Sequence, residues 1–279
     1  KENGMKELRK IIASFPETKD LKLEDHQLIT VYQYIKEKKA FNPNDETNKY
    51  EPVLRFDPIR VDYVFAKAYQ EALEAEEKQK LIDHRDYGDY LIDASLSNFR
   101  RFNDEREKAY QKAKTFINKV INKEYTKGLY LFGKNRTGKT YLLSAIANEL
   151  AKSNIETIFA YTPDLIRSIH GGIKDNTIEM RVKELKYTNL LIIDDIGSAI
   201  MSLWFRDQIF GPVISHRLAM GLPMLFSSNM TINSLSKHLI DPNQTDDKFH
   251  AVRIVTRIAE MIEPVELSSD SFKAIDRKS

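Results

Sequence analysis

Gly133-Lys134-Asn135-Arg136-Thr137-Gly138-Lys139-Thr140 has the G-x-x-x-x-G-K-T spacing of a phosphate-binding loop. Such a loop turns successive backbone N–H groups and the start of the next helix toward one anion. Lys139 is then placed to reach the outer phosphates of a nucleoside triphosphate, and the Thr140 hydroxyl to ligate Mg²⁺; Tyr141 follows at the helix start. The second signal is Asp194-Asp195, which ends the apolar run Leu190-Leu191-Ile192-Ile193. Four apolar residues leading into two acids describe a buried parallel strand whose carboxylates emerge where open α/β sheets bind ligands. Asp194 would hold the magnesium, mainly through water, and Asp195 would orient or deprotonate an attacking water. Asn229 ends the apolar stretch 224–228, where its amide suits the γ-phosphate and the lytic water, or simply a turn. Arg253 and Arg257, four apart in a helical pattern, share one face. They are either solvated or, in an oligomeric ATPase, directed at a neighbour's nucleotide as an arginine finger does.

These side chains need a scaffold. The run 128–132 reads as a short strand entering the loop, and 141–152 as the helix leaving it. A second strand is expected at 157–161. Pro163 then opens a helix at a position where its missing N–H costs nothing. Gly171-Gly172 is expected to break that helix, with the pattern resuming over 178–185. Residues 203–220 read as a helix whose charged positions are Arg206, Asp207 and Arg217. Strands at 190–194, 224–229 and 264–267 and a helix at 249–261 complete the set. Five strands alternating with helices predict an α/β fold with a mostly parallel sheet. Ahead of it, 106–122 reads as an amphipathic helix with Lys108, Lys112, Lys114 and Lys119 on its solvated face.

The front of the chain carries no catalytic constellation. Helical spacing at 1–13 and 25–38, and two short strands around Asp57-Pro58, predict a small α+β domain over 1–65. A Glu-, Ala- and Lys-rich helical connector is expected over 66–100, and the nucleotide-binding domain over 101–279. The 279 residues are 42% apolar, enough for a core, without an apolar stretch long enough to span a membrane. A cytoplasmic protein without membrane partners is expected. There is no cysteine, so neither disulfides nor a thiolate zinc site is predicted. The net charge of +2 is too small for the footprint of a dedicated nucleic-acid-binding protein.

Several stretches together resemble the AAA+ superfamily, and within it the bacterial replicative helicase loaders of the DnaI and DnaC type. They are GLYLFG with TGKT, SAIANELAK, LLIIDDIGS, LWFRDQIFGPVISHR, LPMLFSSN and RIVTRI. The resemblance is strong over 127–267 and weak in the front third. It implies a three-layer AAA+ phosphate-loop fold that binds ATP and Mg²⁺, with Asp194 and Asp195 as the Walker B pair, Asn229 as sensor 1, and Arg257 as the finger supported by Arg253. It also implies a job: docking on the replicative DNA helicase hexamer through the front module, self-association when helicase-bound, and placement of the helicase on single-stranded DNA in primosome assembly. Lys174, Arg181 and Lys183 fall where this clade carries a helix facing DNA.

Two residues depart from the family pattern. Arg136 stands where the loop normally has glycine, which eases backbone angles and close phosphate approach. The front module lacks the cysteines that often hold zinc there. Two alternatives therefore stay open: a transposition ATPase of the IstB type, and an adaptor that binds nucleotide without turnover.

Overall fold

The computed structural model describes residues 2–240 and 247–269. Two compact units divide the chain, Lys1–Glu77 and Lys78–Ser279.

In the front unit, helices α1 (Glu2–Ser14) and α2 (Leu28–Ala40) pack with an antiparallel hairpin of β1 (Tyr50–Arg55) and β2 (Arg60–Phe65). Ile12, Leu28, Val31, Tyr34 and Ile35 form its core, and Leu54, Ile59 and Val61 from the hairpin close one side. The apolar spacing of α2 produces this directly, since positions three and four apart share a face. Helix α3 (Lys67–Gln79) follows, with no buried residue, as its charged composition predicts.

The second unit is a three-layer α/β arrangement. In chain order it contains β3 (Ile82–Asp83), α4 (Asp104–Ile121), β4 (Gly128–Phe132), α5 (Lys139–Lys152), β5 (Thr157–Tyr161), α6 (Thr162–Asp175), α7 (Ile178–Tyr187) and β6 (Leu190–Asp194). A π-helical turn (Phe205–Phe210), α8 (Gly211–Met220), β7 (Met224–Ser228), α9 (Ile232–His238), α10 (Asp247–Met261) and β8 (Ile262–Glu266) complete it. The strands form one parallel sheet in the order β3-β5-β6-β7-β4-β8. Side chains along each strand alternate between two cores. Leu129, Leu131, Leu190, Ile192 and Leu225 face α4 and α5, whereas Tyr130, Leu191, Ile193, Met224 and Phe226 face α6 through α10. Both faces are covered, which is why the strands read as unbroken apolar runs.

Two expectations are corrected, and one feature goes beyond them. The sheet has six strands, not five: β3 adds two residues at the edge beside β5. Two residues after a charged helix carry no alternation to read. Helix α6 does not break at Gly171-Gly172; it continues to Asp175 and stops where Asn176 turns left-handed, with φ 54°. The glycine serves packing instead, because a Cβ on Gly172 would stand 2.9 Å from the Thr177 hydroxyl. Finally, the charged positions Arg206 and Arg217 are fully buried. Arg206 pairs with Asp207 and Asp247, while Arg217 donates to the carbonyls of Leu185, Lys186, Thr188, Asn189 and Pro223. Burial without a carboxylate partner pushes the Arg217 guanidinium down to about 9.

Candidate nucleotide site

Parallel pairing sends the chain out of β4, β6 and β7 at the same edge of the sheet, so three separate sequence signals meet there. A cavity of about 510 Å³ opens at that edge. Asn135, Arg136, Gly138, Lys139, Thr140 and Tyr141 line it, together with Asp194, Asp195, Ser227 and Asn229 from the ends of β6 and β7. Tyr87, Gly88, Asp89 and Leu91, from the segment between β3 and α4, also line it.

The loop after β4 is shaped by its glycines and held by its own carbonyls. Gly133, at φ 145°, presses so closely on the 267 backbone that a Cβ would lie 2.1 Å from the Leu267 carbonyl oxygen. The Lys139 ammonium crosses the loop and donates to the carbonyls of Gly133 at 2.9 Å and Lys134 at 2.6 Å. The Thr137 hydroxyl donates to Lys134 at 3.1 Å. Gly133, Lys134 and Thr137 thus support the cavity from behind. Arg136 has φ 62°, in the left-handed region that glycine occupies freely, so the family's glycine is replaced at a position that demands its conformation. Its side chain is exposed.

The acids lie against the loop helix. The Thr140 hydroxyl donates to both Asp194 carboxylate oxygens, at 2.9 and 3.1 Å. The Ser227 hydroxyl, on the neighbouring strand, makes a short hydrogen bond to Asp194 and accepts the Asp195 N–H at 2.8 Å. Thr162 at the start of α6 holds the Asp194 carbonyl at 2.8 Å. Asp195, the first residue after β6, turns to φ 55°. Burial raises both carboxyls above the usual carboxylate range and lowers the Lys139 ammonium, because each charged form loses water. A hydroxyl beside two carboxylates is a set of hard oxygen donors, which fits magnesium, and a lysine desolvated at a helix start fits an anion.

Arg257 is placed elsewhere. It lies on α10 and its guanidinium bonds the Ser215 hydroxyl of α8, so it does not join this cavity within its own chain. Arg253 is exposed on the same helix. Arg181, expected at a DNA-facing surface, is buried and ion-paired with Asp83, Asp86 and Glu184, so it has no free face for a phosphate. Lys174 and Lys183 are exposed.

Three contributors escaped sequence reading. Ser227 was visible only as the polar end of a strand. Arg106, on α4, is buried between the rings of Phe99 and Phe102, 4.4 and 5.0 Å from their centres. Its guanidinium bonds the Thr137 carbonyl and the Arg100 carbonyl, which braces the phosphate loop from outside. Tyr87 lies in the segment between β3 and α4, where no periodicity marks it. Among the described residues no cluster of three or more His, Asp or Glu side chains forms a further metal site. No helix there is long and apolar enough to cross a membrane.

Comparison with known proteins gives a consistent set of likenesses. The family described as IstB-like ATP binding protein matches residues 68–279. The replicative helicase loader DnaI of Bacillus subtilis (strain 168) is 28% identical over 262 residues, which is 90% of this chain and 84% of that protein. A crystal structure of DnaI superimposes with TM-score 0.62 at 35% identity, covering 68% of this chain and 100% of its own. A crystal structure of the DnaC helicase loader superimposes with TM-score 0.54 at 23% identity, covering 63% of this chain and 97% of its own, a likeness of fold.

Proposed function

We propose that this chain, which belongs to the family of IstB-like ATP-binding proteins, is an ATP-dependent loader of the replicative helicase onto single-stranded DNA. The observation that carries this reading is the reach of the DnaI similarity. It spans 90% of the chain, more than residues 68–279 can hold, so it extends into the front unit where the family match stops.

ATP would sit in the cavity at the sheet edge. Lys139 would exchange its loop carbonyls for the outer phosphates, and the backbone of 133–138 would surround them. Thr140 directly and Asp194 through water would hold magnesium, which neutralises charge on the phosphate oxygens. Asp195 would orient or deprotonate the attacking water, and Asn229 would hold it against the phosphate. Arg257, supported by Arg253, would serve a neighbouring copy assembled on the helicase hexamer. Lys174 and Lys183 would contact DNA phosphates, and the front unit would dock on the helicase. Hydrolysis is expected to be slow, since catalysis needs a neighbour's arginine.

The test is capture of the purified cognate helicase by the full chain with ATP, ATP plus EDTA, or no nucleotide. A complex that forms with ATP and magnesium and is lost in Lys139→Ala is the expected result. No complex under any condition, with the protein folded, overturns the loader reading. The second reading, a transposition ATPase, draws on the family description; strong ATP-dependent binding to duplex DNA without helicase capture would favour it. An adaptor without turnover draws on Arg136 and its φ of 62°; a magnesium-dependent ATPase abolished by Lys139→Ala would exclude it.

A further inference from the structure

Helix α4 begins beside the phosphate loop, and Arg106 in its first turn reaches that loop. The side chain is 4% exposed. Its guanidinium lies between the rings of Phe99 and Phe102 and donates Nε–H to the Arg100 carbonyl and Nη1–H to the Thr137 carbonyl. The Asn103 side chain accepts the Arg106 N–H at 2.9 Å and so caps the helix at this residue. Backbone and side chain are thereby both fixed. Gly138 lies against the same group: it sits at φ 97°, and a Cβ there would stand 3.3 Å from Arg106 Nη2. Gly138 lines the cavity, whereas Thr137 and Arg106 do not. The peptide between Thr137 and Gly138 is trans.

Resting on the nucleotide reading above, we propose that Arg106 is a positioning residue of the phosphate site, holding the Thr137–Gly138 peptide so that the Gly138 N–H is aimed at the bound phosphate. The carbonyl of a planar trans peptide and the N–H that follows it point to opposite sides of the chain. Arg106 holds this carbonyl away from the cavity, which leaves the N–H to face into it. A carbonyl turned inward would instead set a partial negative charge against the anion. Gly138 does not hold the orientation by itself, because glycine is free to adopt many backbone angles; the guanidinium supplies the restraint. Packing alone does not ask for that group: methionine would fill the space between Phe99 and Phe102 and keep contact with both rings. Lysine would keep the charge, but a single ammonium lacks the planar fork that meets two carbonyls at once.

The test compares wild type, Arg106→Met, Arg106→Lys and Ile117→Val as full chains. Affinity for a fluorescent ATP analogue with magnesium, the melting midpoint, and the Gly138 amide resonance of ¹⁵N-labelled protein with and without ATP are measured. In wild type the Gly138 amide proton is expected to move downfield on ATP binding, as a donor to phosphate does. Both Arg106 variants are expected to weaken binding on the order of 10-fold, the effect of misaligning one hydrogen bond to a charged group, and to lose that downfield move. Ile117→Val, in the core about three turns further along α4, is expected to lower the midpoint while keeping wild-type affinity and resonance. Wild-type affinity and resonance in Arg106→Lys would make charge alone sufficient and overturn the assignment, as would wild-type behaviour of Arg106→Met. Equal weakening in Ile117→Val makes the effect one of general stability and overturns it too. If neither Arg106 variant folds, the wild-type resonance decides: a downfield move supports the assignment. If wild type binds the analogue while its Gly138 amide stays unmoved, the Arg106 assignment falls alone. If wild type binds no nucleotide, the reading it rests on fails and takes the assignment with it.

Discussion

Arg136 shows how one residue sets the terms of a binding loop. Its backbone occupies the left-handed region at φ 62°, which costs a residue with a side chain about 1 kcal/mol. Glycine would relieve that strain but adds freedom to the unfolded chain, an offset of similar size. Arg136→Gly is therefore expected to keep the unfolding free energy within about 1 kcal/mol of wild type, measured in urea. Its ATP affinity is expected to rise several-fold, because an unencumbered backbone approaches phosphate more closely. An unchanged affinity, by calorimetry, would show that the exposed side chain already stands clear of the anion. Arg181 makes the opposite point. Read along the chain it is a cation on a helix near a supposed DNA face; in the fold it is buried and bound to Asp83, Asp86 and Glu184.

At the scale of elements, Arg181 ties α7 to the start of the segment that carries Tyr87. Removing it leaves Asp86, 4% exposed, without its cation. Breaking a buried pair in this way costs about 3 to 5 kcal/mol. Arg181→Ala is expected to lose stability of that order in urea unfolding. A DNA contact would behave differently: stability unchanged and only DNA binding reduced. The legibility of the fold divides along the same line. Strands β4, β6 and β7 were plain in the sequence, because a parallel strand covered on both faces is a continuous apolar run. So were the phosphate loop and the acid pair, each held within a few consecutive residues. Arg106, Tyr87 and Arg181 were not, because their meaning rests on partners far away in the chain, 31 residues for Arg106 with Thr137 and 95 for Arg181 with Asp86. β3 was missed for a different reason: two residues give no period to detect.

For the whole molecule, the two units keep separate cores. Ile12, Leu28, Val31, Tyr34 and Ile35 serve the front, and the sheet's two faces serve the rest. Residues 78–279 made alone are expected to unfold in one cooperative transition and to bind ATP as the full chain does, while failing to capture the helicase. Loss of ATP binding in that fragment, measured by fluorescence titration, would mean that the front unit contributes to the nucleotide site.

The single oxygen on the Ser227 side chain faces both acids at the sheet edge. Its proton goes to the first and its lone pair to the amide of the second, so the two move as one bolt and not as separate latches. Any drift of β7 displaces both at once. On the roles proposed for the two acids, a change in that strand would retune the grip on the ion and the aim of the water together.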